Sequence, residues 1–114
     1  MRGSLLFRLL PALLATGAVA MSSVSAQQGT PSLKRGEALL TKNCARCHAT
    51  GTAGLSPHPA APPFRTLARK YPIDGLQEAL AEGLSVGHPD MPEFVFEPEE
   101  IGAILAYLKS IQER

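Results

Sequence analysis

The chain has 114 residues, with 11 Lys and Arg against 10 Asp and Glu and 45% hydrophobic residues, which leaves room for one domain. A formal charge of +1 excludes the strongly basic surface that nucleic-acid binding calls for. No alternating strand pattern and no internal repeat is present, so an all-α domain with long loops is expected.

In residues 1–26, Arg2 and Arg8 precede an apolar run from Leu9 to Ala20, and small residues follow up to Val24-Ser25-Ala26. This is the order of a cleaved secretory signal peptide. A membrane anchor is the competing reading, but the run is shorter than the roughly 20 residues of a spanning helix, and Pro11 and Gly17 interrupt it. Cleavage after Ala26 leaves residues 27–114 as one domain in the periplasm and removes Arg2 and Arg8, so 9 basic residues face 10 acidic ones for a charge of −1. A domain this small has a marginal apolar core. With 10 Pro and 10 Gly in the chain and no Trp, a large apolar cofactor is expected at its centre.

A first helix is expected over Ser32 to Asn43, with Thr30-Pro31-Ser32 at its start and Leu33, Gly36 and Leu40 at helical spacing. Glycine costs about 1 kcal/mol against alanine inside a helix. Gly36 is therefore either tolerated or required for close contact with another helix. From Ala49 to Pro63 the density of Gly, Pro, Thr and Ser predicts an irregular loop. A second helix is expected from about Asp74, where Asp74 and Gln77 have capping-box spacing, to Gly83. Leu84 to Phe96, with His88-Pro89 and Met91-Pro92, is expected to be irregular. Pro98 opens the last helix, Glu99 and Glu100 occupy its first turn, and Ile101, Ile104, Leu105, Leu108 and Ile111 form one apolar face.

The chemistry lies in Cys44-Ala45-Arg46-Cys47-His48, the C-x-x-C-H pattern of haem attachment. Two thiols three residues apart can each add to one porphyrin vinyl group, and the histidine that follows is then held beneath the iron. Three readings compete. A thioredoxin-like pair follows a strand and opens a helix, whereas this motif closes one. A zinc site needs four ligands, and only two cysteines exist, with His48, His58 and His88 as possible supplements. A disulfide, the usual fate of a thiol pair after export, gives no reason for the adjacent His48.

Loss of Met1 and Met21 leaves Met91 as the one methionine of the mature chain, 43 residues after His48. Its thioether would complete a His/Met pair that raises the reduction potential. His88 as the ligand, or an open iron position, are the alternatives. His58 is read as a solvated loop histidine without a role. A carbonyl near Pro57, Pro59 or Pro62 is expected to accept the second N–H of His48. Arg65 is either a propionate partner or a surface arginine. Charge is uneven along the chain, with Lys34, Arg35, Lys42 and Arg46 near the motif and Glu93, Glu97, Glu99 and Glu100 near the last helix. The basic end is a candidate face for an acidic redox partner, and a merely solvated helix face is the competing reading.

The motif Cys44 to His48, the segment Met91-Pro92-Glu93-Phe94 and the final Ile104-Leu105-Ala106-Tyr107-Leu108-Lys109 resemble those of the small bacterial class I cytochromes c. The resemblance spans essentially the whole mature domain. It implies an all-α fold of three main helices and long loops wrapped around one covalently bound haem c, with Gly36 and Leu40 meeting Leu105, Tyr107 and Leu108 where the terminal helices cross. The Gly-Pro-Asn-Leu segment common in that family is replaced by Gly54-Leu55-Ser56-Pro57-His58-Pro59. The expected function is one-electron transfer between redox protein partners by a monomeric, non-enzymatic carrier without stable membrane insertion. Its haem is bound by Cys44 and Cys47, with His48 and Met91 on the iron. A dedicated haem subunit of a periplasmic dehydrogenase or oxidase, and a ligand-binding haem protein with an open iron site, are the alternatives.

Overall fold

A computed structural model describes residues 29–83 and 89–113; the expected signal peptide over 1–26 and the alternative ligand His88 lie outside the described residues. Among the described residues every regular element is helical, as expected of an all-α chain. Helix α1 spans Gly29–Cys44, α2 spans Leu76–Glu82 and α3 spans Pro98–Ile111, with short 3-10 helices at Phe64–Arg69 and Ile73–Gly75. No helix among the described residues is long and apolar enough to cross a membrane.

Helix α1 already includes Gly29 and Thr30, so Thr30 does not cap it from outside. Its far end reaches Cys44, one residue beyond the expected boundary. Helix α2 begins at Leu76 rather than near Asp74, because Pro72 starts a 3-10 turn in which its carbonyl accepts the Gly75 N–H at 2.9 Å. The capping box expected of Asp74 and Gln77 does not form, since Gly75 holds the N-cap position and no side chain caps it. The Asp74 carboxylate instead meets Lys109 Nζ on α3 at 2.5 Å. Both side chains are exposed, and a pair of this kind contributes about 0–1 kcal/mol. The expected stop at Gly83 is present: its φ of +110° suits glycine, and its N–H donates to Ala79 O at 3.0 Å.

The 3-10 helix Phe64–Arg69 is an element that the sequence pattern does not announce. It is too short to show a helical period, although Phe64 and Leu67 stand three residues apart on one side of it, and Phe64 is buried. Helix α3 begins as expected, with Pro98 in its first turn. The Glu100 carboxylate reaches back to accept the Glu97 N–H at 3.1 Å, satisfying a backbone donor ahead of the helix.

All five residues of the expected apolar face of α3 are buried, joined by Ala103 and Tyr107, and Ile104 has no exposed surface at all. Leu40 of α1, Phe64, Ile73, Leu80 of α2 and Phe96 complete the core. Gly36 sits where α1 meets α3. A Cβ built there would collide with the Ala103 carbonyl oxygen and lie 2.7 Å from its carbon and 2.8 Å from Tyr107 Cβ. The glycine is thus required by close backbone approach, and Ala103 belongs in the contact beside Tyr107. Replacing Gly36 by Ala would gain about 1 kcal/mol of helix propensity and force apart a backbone contact.

Overpacking of this kind costs about 1–3 kcal/mol, so Gly36→Ala is expected to lower stability. Gly102, one helical position before Ala103, has open space where a Cβ would stand, and Gly102→Ala is expected to raise it by up to about 1 kcal/mol. Thermal melting of both variants checks the pair, and the two shifts should have opposite signs.

Candidate functional site

The site begins where α1 ends. The Cys44 carbonyl accepts two N–H groups, from Cys47 at 3.1 Å and from His48 at 2.9 Å, which folds the five-residue motif into one turn. Cys44 and Cys47 are free thiols, both half-buried. Burial, with a smaller contribution from Cys47, pushes the Cys44 thiol up to about 11, so at neutral pH it is held as the thiol rather than the more reactive thiolate.

The loop after the motif folds back over it. The His58 N–H donates to Cys47 O at 3.1 Å, the Ala49 N–H to Ser56 Oγ at 3.0 Å, and the Phe64 N–H to Ala49 O at 2.9 Å. Ser56 lies in the segment that replaces Gly-Pro-Asn-Leu, and its hydroxyl anchors the residue directly after His48. Of the three carbonyls considered for His48, the structure selects Pro62: His48 Nδ1 lies 2.8 Å from its oxygen. A carbonyl only accepts, so Nδ1 carries the proton and Nε2 presents its lone pair. Pro62 is followed by Pro63, which disfavours helical geometry at Pro62 and keeps its carbonyl out of a helix ladder. The Phe64 ring packs on the imidazole with centroids 4.6 Å apart and a tilt of 31°.

Met91 is half-buried in the irregular segment that leads to α3. This segment is tied to α2 by the Phe96 N–H, which donates to Leu80 O at 2.9 Å. A cavity of about 450 Å³ lies between the motif and this segment. Arg46 and Cys47 line it from the motif, Pro57 and His58 from the loop, and Asp90 and Pro92 from either side of Met91. The structure therefore brings the neighbours of Met91 to the same cavity as Cys47.

His58 is more than a solvated loop residue. Its Nδ1 accepts the Ala60 N–H at 3.1 Å, which leaves the proton on Nε2, and Nε2 lies 3.3 Å from Asp90 Oδ2. It links the loop to the Met91 segment across the cavity. Arg65 is engaged within the protein, donating to Gly54 O at 2.9 Å and to Glu113 Oε1 at 2.9 Å. Among the described residues no group of three or more His, Cys, Asp and Glu side chains is arranged to hold a metal ion. Lys34, Arg35, Lys42 and Arg46 are all exposed, as are Glu93, Glu97 and Glu99.

The buried Tyr107 donates its hydroxyl to Thr50 O at 3.0 Å. The sequence showed Tyr107 as a packing residue only, and nothing local pairs it with a carbonyl 57 residues away. Burial, and then the charge of Glu37, raises the Tyr107 phenol above its ordinary 10.0. A group kept neutral by folding contributes stability that is full below the unfolded pKa and is lost as pH rises above it, because the unfolded chain releases its proton first. The stability advantage of the wild type over Tyr107→Phe is therefore expected to be constant up to about pH 9 and to shrink above about pH 10. Denaturant titrations of both proteins across this range check it.

The geometry combines two unbonded thiols on one turn, an imidazole whose second nitrogen is fixed by a carbonyl, and an adjoining cavity. The chemistry of these donors fits a covalently attached porphyrin, and of Cys44, Cys47, His48 and Met91 it is Cys47 that lines the cavity. No curated protein and no solved structure matches the chain. A family model described as cytochrome c oxidase, cbb3-type, subunit III matches residues 31–108, a span that holds Cys44, Cys47, His48, Pro62 and Met91. The chain belongs to this family of c-type cytochrome domains, for which covalently bound haem c is implied.

Proposed function

We propose that the chain is an exported one-electron carrier in which a single haem c is held by Cys44 and Cys47 and ligated by His48 and Met91. The observation that carries this reading is the 2.8 Å contact between His48 Nδ1 and Pro62 O. An imidazole with Nδ1–H committed to a carbonyl offers a more basic Nε2 to a metal and resists rotation. Haem supplies an iron that passes between ferric and ferrous states, and the chain supplies the bonds, ligands and burial that set its potential.

Each residue has a definite role in this reading. Cys44 and Cys47 give one thioether each, so the group stays attached whatever the oxidation state. His48 enters already oriented, because its turn, its carbonyl partner and its ring contact with Phe64 are all fixed by the fold. Met91 approaches from the segment across the cavity, where Pro89 and Pro92 restrict the backbone. His48 and Met91 would together hold the iron and leave no position on it for a substrate. Residues 1–26 serve as the signal peptide that takes the chain to the periplasm, where attachment takes place.

The family description favours a second reading, in which the same haem domain is a subunit of an oxidase complex. The local chemistry is identical in the two cases. They differ in mass: a free carrier elutes near the size of its own chain in size-exclusion chromatography of a native extract, and a docked subunit elutes with its complex.

Acid–acetone extraction of the purified protein is expected to leave the haem on the chain, with no free thiol at Cys44 or Cys47; release of haem together with two free thiols would overturn covalent attachment. In the ferric protein a weak near-infrared sulfur-to-iron band is expected. Met91→Ala should abolish that band and admit added imidazole to the iron, and Met91→His should lower the midpoint potential, since imidazole donates more strongly to ferric iron than a thioether does. A band and a potential unchanged in Met91→Ala would exclude Met91 as a ligand.

A further inference from the structure

Helix α3 ends at Ile111, and the next residue, Gln112, is half-buried with extended backbone. Its side-chain amide makes three hydrogen bonds. Nε2 donates to Leu108 O at 2.7 Å and to Phe64 O at 2.8 Å, and Oε1 accepts the Ala68 N–H at 2.8 Å. Only the bond to Leu108, four residues back, serves the end of the helix itself. The other two leave the helix and cross 48 and 44 residues of sequence to hold both ends of one short element, the 3-10 helix Phe64–Arg69.

That element is the platform of His48. Phe64 carries the ring 4.6 Å from the imidazole. Its N–H holds Ala49, the residue after His48, at 2.9 Å. It follows Pro63 and Pro62, whose rigid backbone presents the carbonyl that fixes Nδ1. Glu113 reinforces the attachment with its N–H on Arg65 O at 2.8 Å and its carboxylate on Arg65 and Arg69 at 2.9 and 2.6 Å. These last groups touch the outer side of the platform, whereas the Gln112 bond falls on Phe64 itself.

We propose that Gln112 is a positioning residue for His48: by holding Phe64 it fixes the plane of the imidazole and the bond from Nδ1 to Pro62, and so helps to set the reduction potential of the domain. This rests on the reading of His48 as a haem ligand. When the amide is lost, Phe64 and the Pro62 carbonyl gain freedom, the bond to Nδ1 weakens and the imidazole becomes less basic. A less basic ligand stabilises ferric iron less, so the midpoint potential rises.

The test uses the full chain as exported and loaded with haem. Gln112→Met keeps the side-chain length and removes all three hydrogen bonds, and Gln112→Ala removes the side chain. Ile73→Val, a trimmed core residue outside the platform, controls for lost stability. Midpoint potential, ferric electron paramagnetic resonance and melting temperature are measured for each. Both Gln112 variants are expected to show a raised midpoint and altered g values, while Ile73→Val melts at lower temperature with both signals unchanged. Lower melting temperatures with wild-type midpoint and g values in both Gln112 variants would overturn the inference and leave Gln112 a helix-end residue. Equal shifts in Ile73→Val would overturn it as well. Wild-type ferric g values retained in His48→Ala would refute His48 ligation itself, a failure read independently of the Gln112 variants.

Discussion

The absence of a side chain at Gly36 is the constraint on which the rest of the molecule depends. It lets the backbone of α1 come against the Ala103 carbonyl and Tyr107 Cβ of α3, so the two longest helices meet at a fixed place and depth. α1 ends in the attachment motif, and α3 carries both Tyr107 and, just past its end, Gln112. The contact therefore settles where the polar ends of Tyr107 and Gln112 fall relative to Cys44, Cys47 and His48. Tyr107 reaches Thr50, and Gln112 reaches Phe64. A displacement of α3 along α1 would move both partners together.

The long loop between Ala49 and Pro63 has no helix of its own, and its order comes from outside. Its prolines limit the conformations the unfolded chain can visit, which lowers the entropy lost on ordering it. One hydrogen bond ties it to Cys47 of the motif, one from Ala49 to Ser56 closes it on itself, and one from Tyr107 to Thr50 ties it to α3. What the loop provides in return is a backbone carbonyl at Pro62, aimed at one nitrogen of one imidazole. A carbonyl suits this purpose because it has no proton to lose, so the ring nitrogen that faces it must keep its own.

The cavity is bounded by segments far apart in the chain, the motif and loop on one wall and the residues around Met91 on the other. The pairing of His58 with Asp90 spans it. Exposed basic residues on α1 and at the cavity mouth, and exposed acidic residues at the start of α3, give the surface two differently charged regions.

By itself the sequence determined the helical class, the motif, the apolar face of α3 and the stops and starts at Gly83 and Pro98, because each of these is written in residues a few positions apart: a thiol spacing, a helical period, a glycine free to take positive φ. It also marked Gly36 as unusual and narrowed the partner of His48 to a carbonyl near three prolines. The tertiary structure decided the rest. It chose Pro62, formed the 3-10 helix Phe64–Arg69, drew Asp74 away from its expected cap to Lys109, and gave Arg65, Tyr107 and Gln112 partners 11 to 57 residues away. Those outcomes depend on how closely α1 and α3 approach and on which polar groups burial leaves in need of a partner, and a hydrogen bond between distant residues leaves no periodic trace in the order of side chains.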